Sequence, residues 1–111
     1  MINHEHYTYR VIWSEEDTEH VGLCAEFPSL SHLTDTHLKA MKGIMSLVND
    51  VIKDMTASGE IIPDPLGEKQ YSGKFVVRIL PAEHKMLAIQ AAEMGISLNK
   101  LASSKLTSFR I

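Results

Sequence analysis

The chain has 111 residues, of which 44% are hydrophobic and 23% charged, a composition typical of a core-forming protein with one ordinary domain or two very small ones. No apolar run approaches the roughly 18 residues that a membrane-spanning helix needs. The first residues lack the basic and apolar regions of a signal peptide, and the single cysteine, Cys24, has no internal disulfide partner. We therefore expect a cytoplasmic protein without a membrane anchor.

Charge divides the chain into an acidic and a basic part. Residues 1–70 carry five Lys or Arg against twelve Asp or Glu, a net charge of −7. Residues 71–111 carry six Lys or Arg against two acids, a net charge of +4. A small basic module behind an acidic one indicates that the two parts meet different partners.

A β-hairpin is predicted at the start of the chain. Residues 7–14 and 19–27 alternate as strands do, and a charged turn separates them. Pro28 ends the second strand because it cannot donate a ladder hydrogen bond, and residues 29–34 have room for a short third strand. The alternation places these side chains on one face of their strand: Tyr7, Tyr9, Val11 and Trp13 in the first, and Val21, Leu23, Ala25 and Phe27 in the second.

A long helix is predicted next, over about residues 36–57. Asp35 or Thr36 can cap its N-terminus, and Ser58-Gly59 can end it. We expect its apolar stripe to cover the hairpin sheet rather than to form a methionine-rich binding surface. Ile61-Ile62 is then a candidate edge strand, and turn-forming residues follow. The stripe consists of Leu38, Met41, Met45, Val48, Ile52 and Met55.

The last part of the chain has the order strand, helix, glycine turn, helix. Residues 74–80 alternate, Pro81 suits a first helical position, Gly95 suits a left-handed C-cap, and Ser97 suits an N-cap. Alone, such a unit would have two bare strand edges and too little core. Antiparallel pairing with the strand of a second copy would solve both problems, and the predicted dimer core is then Phe75, Val77 and Ile79.

The opposite side of this paired ribbon presents Lys74, Val76 and Arg78 twice. A two-stranded ribbon fits the major groove of DNA, where arginine suits a guanine edge, lysine a guanine or a phosphate, and valine a thymine methyl. The start of the second helix offers backbone N–H groups to a phosphate. The simpler interpretation, an amphipathic strand with a solvated polar side, accounts less well for the basic charge. The predicted phosphate contacts come from Ser97, Leu98, Asn99 and Lys100.

These residues carry a resemblance to known families. The stretch SGKFVVRI at residues 72–79 resembles the ribbon of Arc/MetJ-like ribbon-helix-helix proteins, although Val76 stands where many of them have a polar residue. The longer run SGKFVVRILPAEHKMLAIQAAEMGISLNKLASSKL resembles the C-terminal domain of HicB antitoxins. The tyrosine-led strand, Phe27-Pro28, Asp35-Thr36 and the Ile-Pro segment are similar to the HicB N-terminal domain. After Pro28 the chain continues Ser-Leu-Ser-His, without the glycine-cysteine pair common in that family.

The resemblance implies an α+β protein with a division of labour. Residues 1–66 would be a partial RNase H-like domain, with a sheet and one covering helix but no active site, that blocks HicA, an mRNA-cleaving toxin. Residues 67–73 would be a linker. Residues 74–111 would be a ribbon-helix-helix domain that forms an intertwined dimer, or part of a higher homo-oligomer, and represses the operon by binding operator DNA.

Two alternatives to an antitoxin are an RNase H-like enzyme and a stand-alone repressor. An RNase H-like enzyme needs converging carboxylates, one of them in the first strand, and residues 7–14 contain none. His4 and His6 alone are too few for a metal site, so we expect no catalytic residue, metal or cofactor. The second alternative is a stand-alone ribbon-helix-helix repressor whose N-terminal domain senses a ligand or oligomerises.

Overall fold

Three strands form an antiparallel sheet in the computed structural model, which describes residues 2–109. They are β1 (Tyr9–Ser14), β2 (Glu19–Cys24) and β3 (Ser31–Thr34), and β2 lies in the centre. Tyr9 pairs with Cys24 and Ser14 with Glu19, so the hairpin closes over a short turn. Thr18 in this turn has a φ of 52°, a left-handed conformation that a tight reversal requires. The predicted hairpin and third strand are confirmed.

The predicted long helix is α1 (His37–Ser58). The Thr36 hydroxyl accepts a hydrogen bond from the Lys39 N–H at 3.1 Å, which satisfies one of the free donors of the first turn. Gly59 ends the helix with a φ of 73°. The N–H of Glu60 then reaches the Met55 carbonyl at 2.9 Å, which closes the last turn. Both predicted ends therefore lie within about one residue of the observed ones.

The helix packs on the face of β2 that carries Gly22 and Cys24, not on the face that carries Val21 and Leu23. A Cβ atom at Gly22 would lie 2.4 Å from the Ala40 carbonyl oxygen and 2.9 Å from Ile44. A Cβ atom at Gly43 would likewise lie within 2.0 Å of the His32 ring in β3. Two glycines, one in the sheet and one in the helix, therefore set the distance between the layers.

The core forms where this helix meets the sheet. Tyr7 and Phe27 stack edge to face with their ring centroids 5.2 Å apart, and the cluster continues to Cys24, Ile44 and Val48. Most of the predicted apolar stripe contributes to this core, but Leu38 is 65% exposed, so its place in the stripe is wrong. The partly buried helix residues packed against it are Met41, Leu47, Val51, Ile52 and Met55.

Residues 60–72 follow α1 without regular secondary structure. The expected edge strand at Ile61-Ile62 is wrong, since neither residue joins the sheet and Ile61 is 93% exposed. The segment is instead held by hydrogen bonds. The Tyr7 hydroxyl donates to the Pro63 carbonyl at 2.6 Å, and Pro65 is fully buried.

The Glu26 carboxylate is the second anchor of this segment. It accepts the Leu66 N–H at 2.8 Å and the Thr8 N–H at 2.9 Å. Its partial burial raises the pKa, but the hydrogen bonds from Leu66 and Thr8 outweigh this effect and hold the pKa below its ordinary value of 4.5. The ionised Glu26 side chain thus joins the residue before β1, Thr8, to the middle of the segment at Leu66.

Residues after this segment belong to a separate unit. The chain divides into Met1–Ser72 and Gly73–Ile111. The second unit contains α2 (Pro81–Met94) and α3 (Leu98–Leu106), which contact each other. Residues 74–80, predicted as a strand, have no strand assignment in this single chain, because a strand ladder needs a partner. The chain is therefore α+β, with three strands and three α-helices in its described part.

We expect Gly22→Ala to destabilise the protein because the new methyl group would overlap a helix carbonyl. Overpacking of this kind costs about 1–3 kcal/mol of unfolding free energy. Gly67→Ala is the matched control, since a Cβ atom there would meet nothing within 4 Å. Urea unfolding of both variants measures the difference. Equal midpoints for Gly22→Ala and the wild type would show that the two layers are not in close contact.

The lowered pKa of Glu26 predicts a pH-dependent contribution to stability. A carboxyl group whose folded-state pKa lies below its unfolded value stabilises the fold above the unfolded pKa, and this contribution is lost as the pH falls through the folded pKa. Glu26→Gln should therefore lower the unfolding free energy by about 1 kcal/mol at pH 7, and the deficit should shrink below pH 4.5.

Glu60→Gln is the control for this pH series, because Glu60 lies just after α1 and is exposed to solvent, whereas Glu26 is partly buried. Urea unfolding at pH 7, 5, 4 and 3 gives the comparison. A constant difference between wild type and Glu26→Gln over that range would contradict the role of the ionised carboxylate.

Candidate nucleic-acid interface

The turn between α2 and α3 fixes the frame of the candidate interface. Gly95 has a φ of 70°. Its N–H donates to the Ala92 carbonyl and the N–H of Ile96 donates to the Ala91 carbonyl at 3.1 Å, the double bond that ends a helix at a left-handed glycine. Ser97 then caps α3 by accepting the Lys100 N–H at 3.0 Å. The predicted glycine turn and serine cap are confirmed.

The start of α2 is equally well defined. Pro81 occupies the first helical turn, where a missing N–H has no cost. The Glu83 side chain accepts the Leu80 N–H at 3.0 Å, so the residue at the end of the predicted strand is tied to the helix. Residues 74–80 therefore enter α2 through a fixed junction.

The predicted inward side chains of residues 74–80 lie partly on the apolar side of the helices. Val77 and Ile79 line an open groove of about 330 Å³. Phe75 does not share this protection, since it is 75% exposed. The helix residues that line the same groove are His84, Leu87, Leu98, Ala102, Lys105 and Leu106.

The second unit has very little core of its own. Ala91 and Leu101 are its buried hydrophobic residues among those described. Even the groove residues Val77 and Ile79 remain 55% and 45% exposed. Phe109, which follows α3, is 65% exposed. A unit of this size with two buried residues cannot offset the conformational entropy of folding by itself.

A second apolar surface of this unit was not predicted from the sequence. Ile79, Met86 and Ile89 line an open depression of about 680 Å³ that also includes Glu83 and Glu93. Met86 and Ile89 are 71% and 48% exposed. Their spacing of three residues was the available signal, but it lies beside the stripe of Leu87 and Ala91 on the same helix. The apolar surface of α2 is therefore broader than a single core-facing stripe.

The predicted DNA-reading side chains are all exposed. Lys74, Val76 and Arg78 alternate with the groove residues along the chain, and Val76 is 82% exposed. An exposed valine between two cations is unusual for a surface that meets only water. All three side chains are therefore in contact with solvent.

The predicted phosphate site lies at the beginning of α3. Because Ser97 uses the Lys100 N–H, the N–H groups of Leu98 and Asn99 are the first-turn donors that a helix leaves without an internal partner. The side chains of Asn99 and Lys100 are exposed beside them. This arrangement of donors and a cation suits an anion such as a phosphate.

The structure offers no metal site in residues 2–109, where no three His, Cys, Asp or Glu side chains come together as ligands. Cys24 is buried in the sheet, and burial raises the pKa of its thiol. Among the described helices, none is long and apolar enough to cross a bilayer.

Comparison with known protein families gives a match that includes most of this unit and the end of the first. The model of the HicB family matches residues 57–106. The span runs from the last turn of α1 to the end of α3 and covers a little under half of the chain. No curated protein and no solved structure matches the chain. Over these residues the chain is similar to the HicB family.

Proposed function

We propose that this chain is a HicAB-type antitoxin that neutralises an mRNA-cleaving toxin and represses its own operon. The observation that carries the proposal is the family match at residues 57–106, which includes most of a basic unit with an open apolar groove. The similarity to the HicB family suggests a toxin as the partner. The open apolar groove suggests a dimer, because a second copy could cover it. The two units then perform different tasks.

The dimer of the proposal is an intertwined ribbon-helix-helix fold. Residues 74–80 of two copies pair antiparallel, which gives each strand the ladder partner that a single chain lacks. Val77 and Ile79 already lie on the groove side of the helices, and Phe75 is added to this side by the alternation of a strand. Pairing would bury these side chains against four helices, which supplies the missing core.

In such a dimer the outward side chains read DNA. The ribbon places Lys74, Val76 and Arg78 of both copies in the major groove of an operator. Arg78 donates to a guanine edge, and the methyl groups of Val76 meet a thymine methyl. Lys100 and the N–H groups at the start of α3 contact phosphates, which positions the ribbon without reading sequence.

The first unit is proposed to bind the toxin as a partial RNase H-like domain without catalysis. Its three-stranded sheet and covering helix have their own core, and residues 1–70 carry a net charge of −7. This charge complements a basic RNA-binding protein. β1 contains no Asp or Glu, so the carboxylate that an RNase H-like site needs in its first strand is missing. We propose a cytoplasmic binding protein that needs no cofactor.

Toxin neutralisation is tested by growth. The toxin encoded beside this chain should arrest growth when it is expressed alone, and co-expression of the full chain should restore growth. A chain ending at Ser72 should also restore growth because the first unit has its own core and ends there. Persistent arrest with a full-length chain that is shown to be folded would reject the antitoxin role.

Recognition of the operator is tested by two variants with different expected behaviour. Arg78→Ala should weaken operator binding by about 1–3 kcal/mol for each copy and relax the sequence preference, because it removes a base contact. Lys100→Ala should weaken operator and random DNA about equally and reduce the salt dependence, because it removes a phosphate contact. Affinities for both DNAs at two salt concentrations separate these outcomes.

Phe75→Ala is the dimer control in this experiment. It should abolish DNA binding together with the dimer, as measured by light scattering. An Arg78→Ala protein that remains dimeric and binds its operator with unchanged affinity and preference would show that the ribbon is not the reading surface. A stable wild-type monomer at micromolar concentration would refute the ribbon itself.

A further inference from the structure

One row of apolar side chains crosses all three strands of the sheet. Ile12 pairs with Val21, and Val21 pairs with Leu33. The neighbouring row contains Gly22 and His32, both of which face α1. Because successive residues of a strand point to opposite faces, Ile12, Val21 and Leu33 lie on the face turned away from the helix. We refer to it as the outer face.

The outer face is more apolar than a solvated sheet face should be. An antiparallel sheet with one covered face normally alternates between apolar residues inside and polar residues outside. Here Ile12 and Leu33 are each 42% exposed, and Val21 between them is 9% exposed. Val21 is nevertheless not part of the core cluster beneath α1. Val21 is buried between its neighbours, and Ile12 and Leu33 on either side of it form the exposed apolar part of this face.

Charged residues lie at both ends of β1 on this face and restrict which kind of partner can cover the apolar row. The Ser14 hydroxyl on the outer face donates to Asp17 at 2.9 Å, and Glu19 lies opposite Ser14 in the register. Arg10 is the cation at the other end of β1 on the same face. Two copies of this unit would repel each other, because residues 1–70 carry a net charge of −7. A partner with basic groups around an apolar centre fits both features.

We propose that the outer face, centred on Ile12, Val21 and Leu33, is the surface on which a small basic protein docks, namely the toxin of the proposed function, on which this inference rests. The apolar row forms the centre of the contact, and Asp17 and Glu19 form its acidic rim. The helix-covered face plays no direct part, so α1 supports the sheet from behind.

The experiment uses the full chain and the purified, catalytically inactive toxin encoded beside it. Leu33→Ser and Ile12→Glu should each weaken binding at least about tenfold, because they remove apolar area from the centre of an interface. Asp17→Lys should mainly slow association and flatten its salt dependence. Ile61→Glu is the matched control, since Ile61 is 93% exposed outside the sheet, and should bind like the wild type.

Circular dichroism and native mass are recorded for each variant, and Leu33→Ser provides the milder change if Ile12→Glu does not fold. Wild-type binding with unchanged affinity in folded variants of Ile12 and Leu33 overturns the docking surface and leaves the antitoxin role standing. A wild-type chain that does not bind the toxin overturns both. A loss of native mass in the Leu33 variant shows that a second copy covers the outer face, which also overturns the inference.

Discussion

The close approach of α1 to the sheet is the constraint on which the first unit depends. The Ala40 carbonyl lies so near Gly22 that a Cβ atom there would be 2.4 Å away, and Gly43 makes room for the His32 ring in the same manner. This approach brings Ile44 and Val48 into full burial against the sheet. Without it, the edge-to-face pair of Tyr7 and Phe27 would have no helix to pack beneath.

The same constraint explains how the unit divides its surface. Glycine on the covered side of β2 leaves the larger apolar side chains of that strand, Val21 and Leu23, on the opposite side. The sheet therefore keeps Val21 and Leu23 on the face that α1 does not cover. The segment held by Glu26 and Tyr7 contributes to the core without covering β3 as a further strand.

Much of this arrangement could be predicted from the sequence. The strands, the long helix with its cap at Thr36, and the turn from Gly95 to Ser97 follow from local signals such as alternation, periodicity and capping residues. The face of β2 that meets the helix could not be predicted in this way, because a small residue at a close contact looks less core-like than the valine beside it. The prediction of an edge strand at Ile61-Ile62 was wrong for a related reason, since β-branched residues favour a strand only where a partner edge is available.

The members of the candidate interface were chosen from the sequence, and their role in binding stays a prediction. Alternation placed Val77 and Ile79 together, and the groove beside α2 and α3 contains both. The geometry of Lys74, Val76 and Arg78 depends on a strand partner that a single chain does not contain. The three-residue spacing of Met86 and Ile89 was the one sign that the apolar surface of α2 is broad, and it lies just outside the stripe that a single helix–helix contact requires.

The scarcity of buried residues in the second unit has a consequence for the lifetime of the protein. With Ala91 and Leu101 as its buried hydrophobic residues, an unpaired copy of this unit would open readily and expose its backbone to proteases. In the proposed dimer, pairing would protect it by mass action, and the protected fraction would rise with concentration. The rate at which a cell degrades the chain would then depend on how much of it is present, and dilution would hasten its removal.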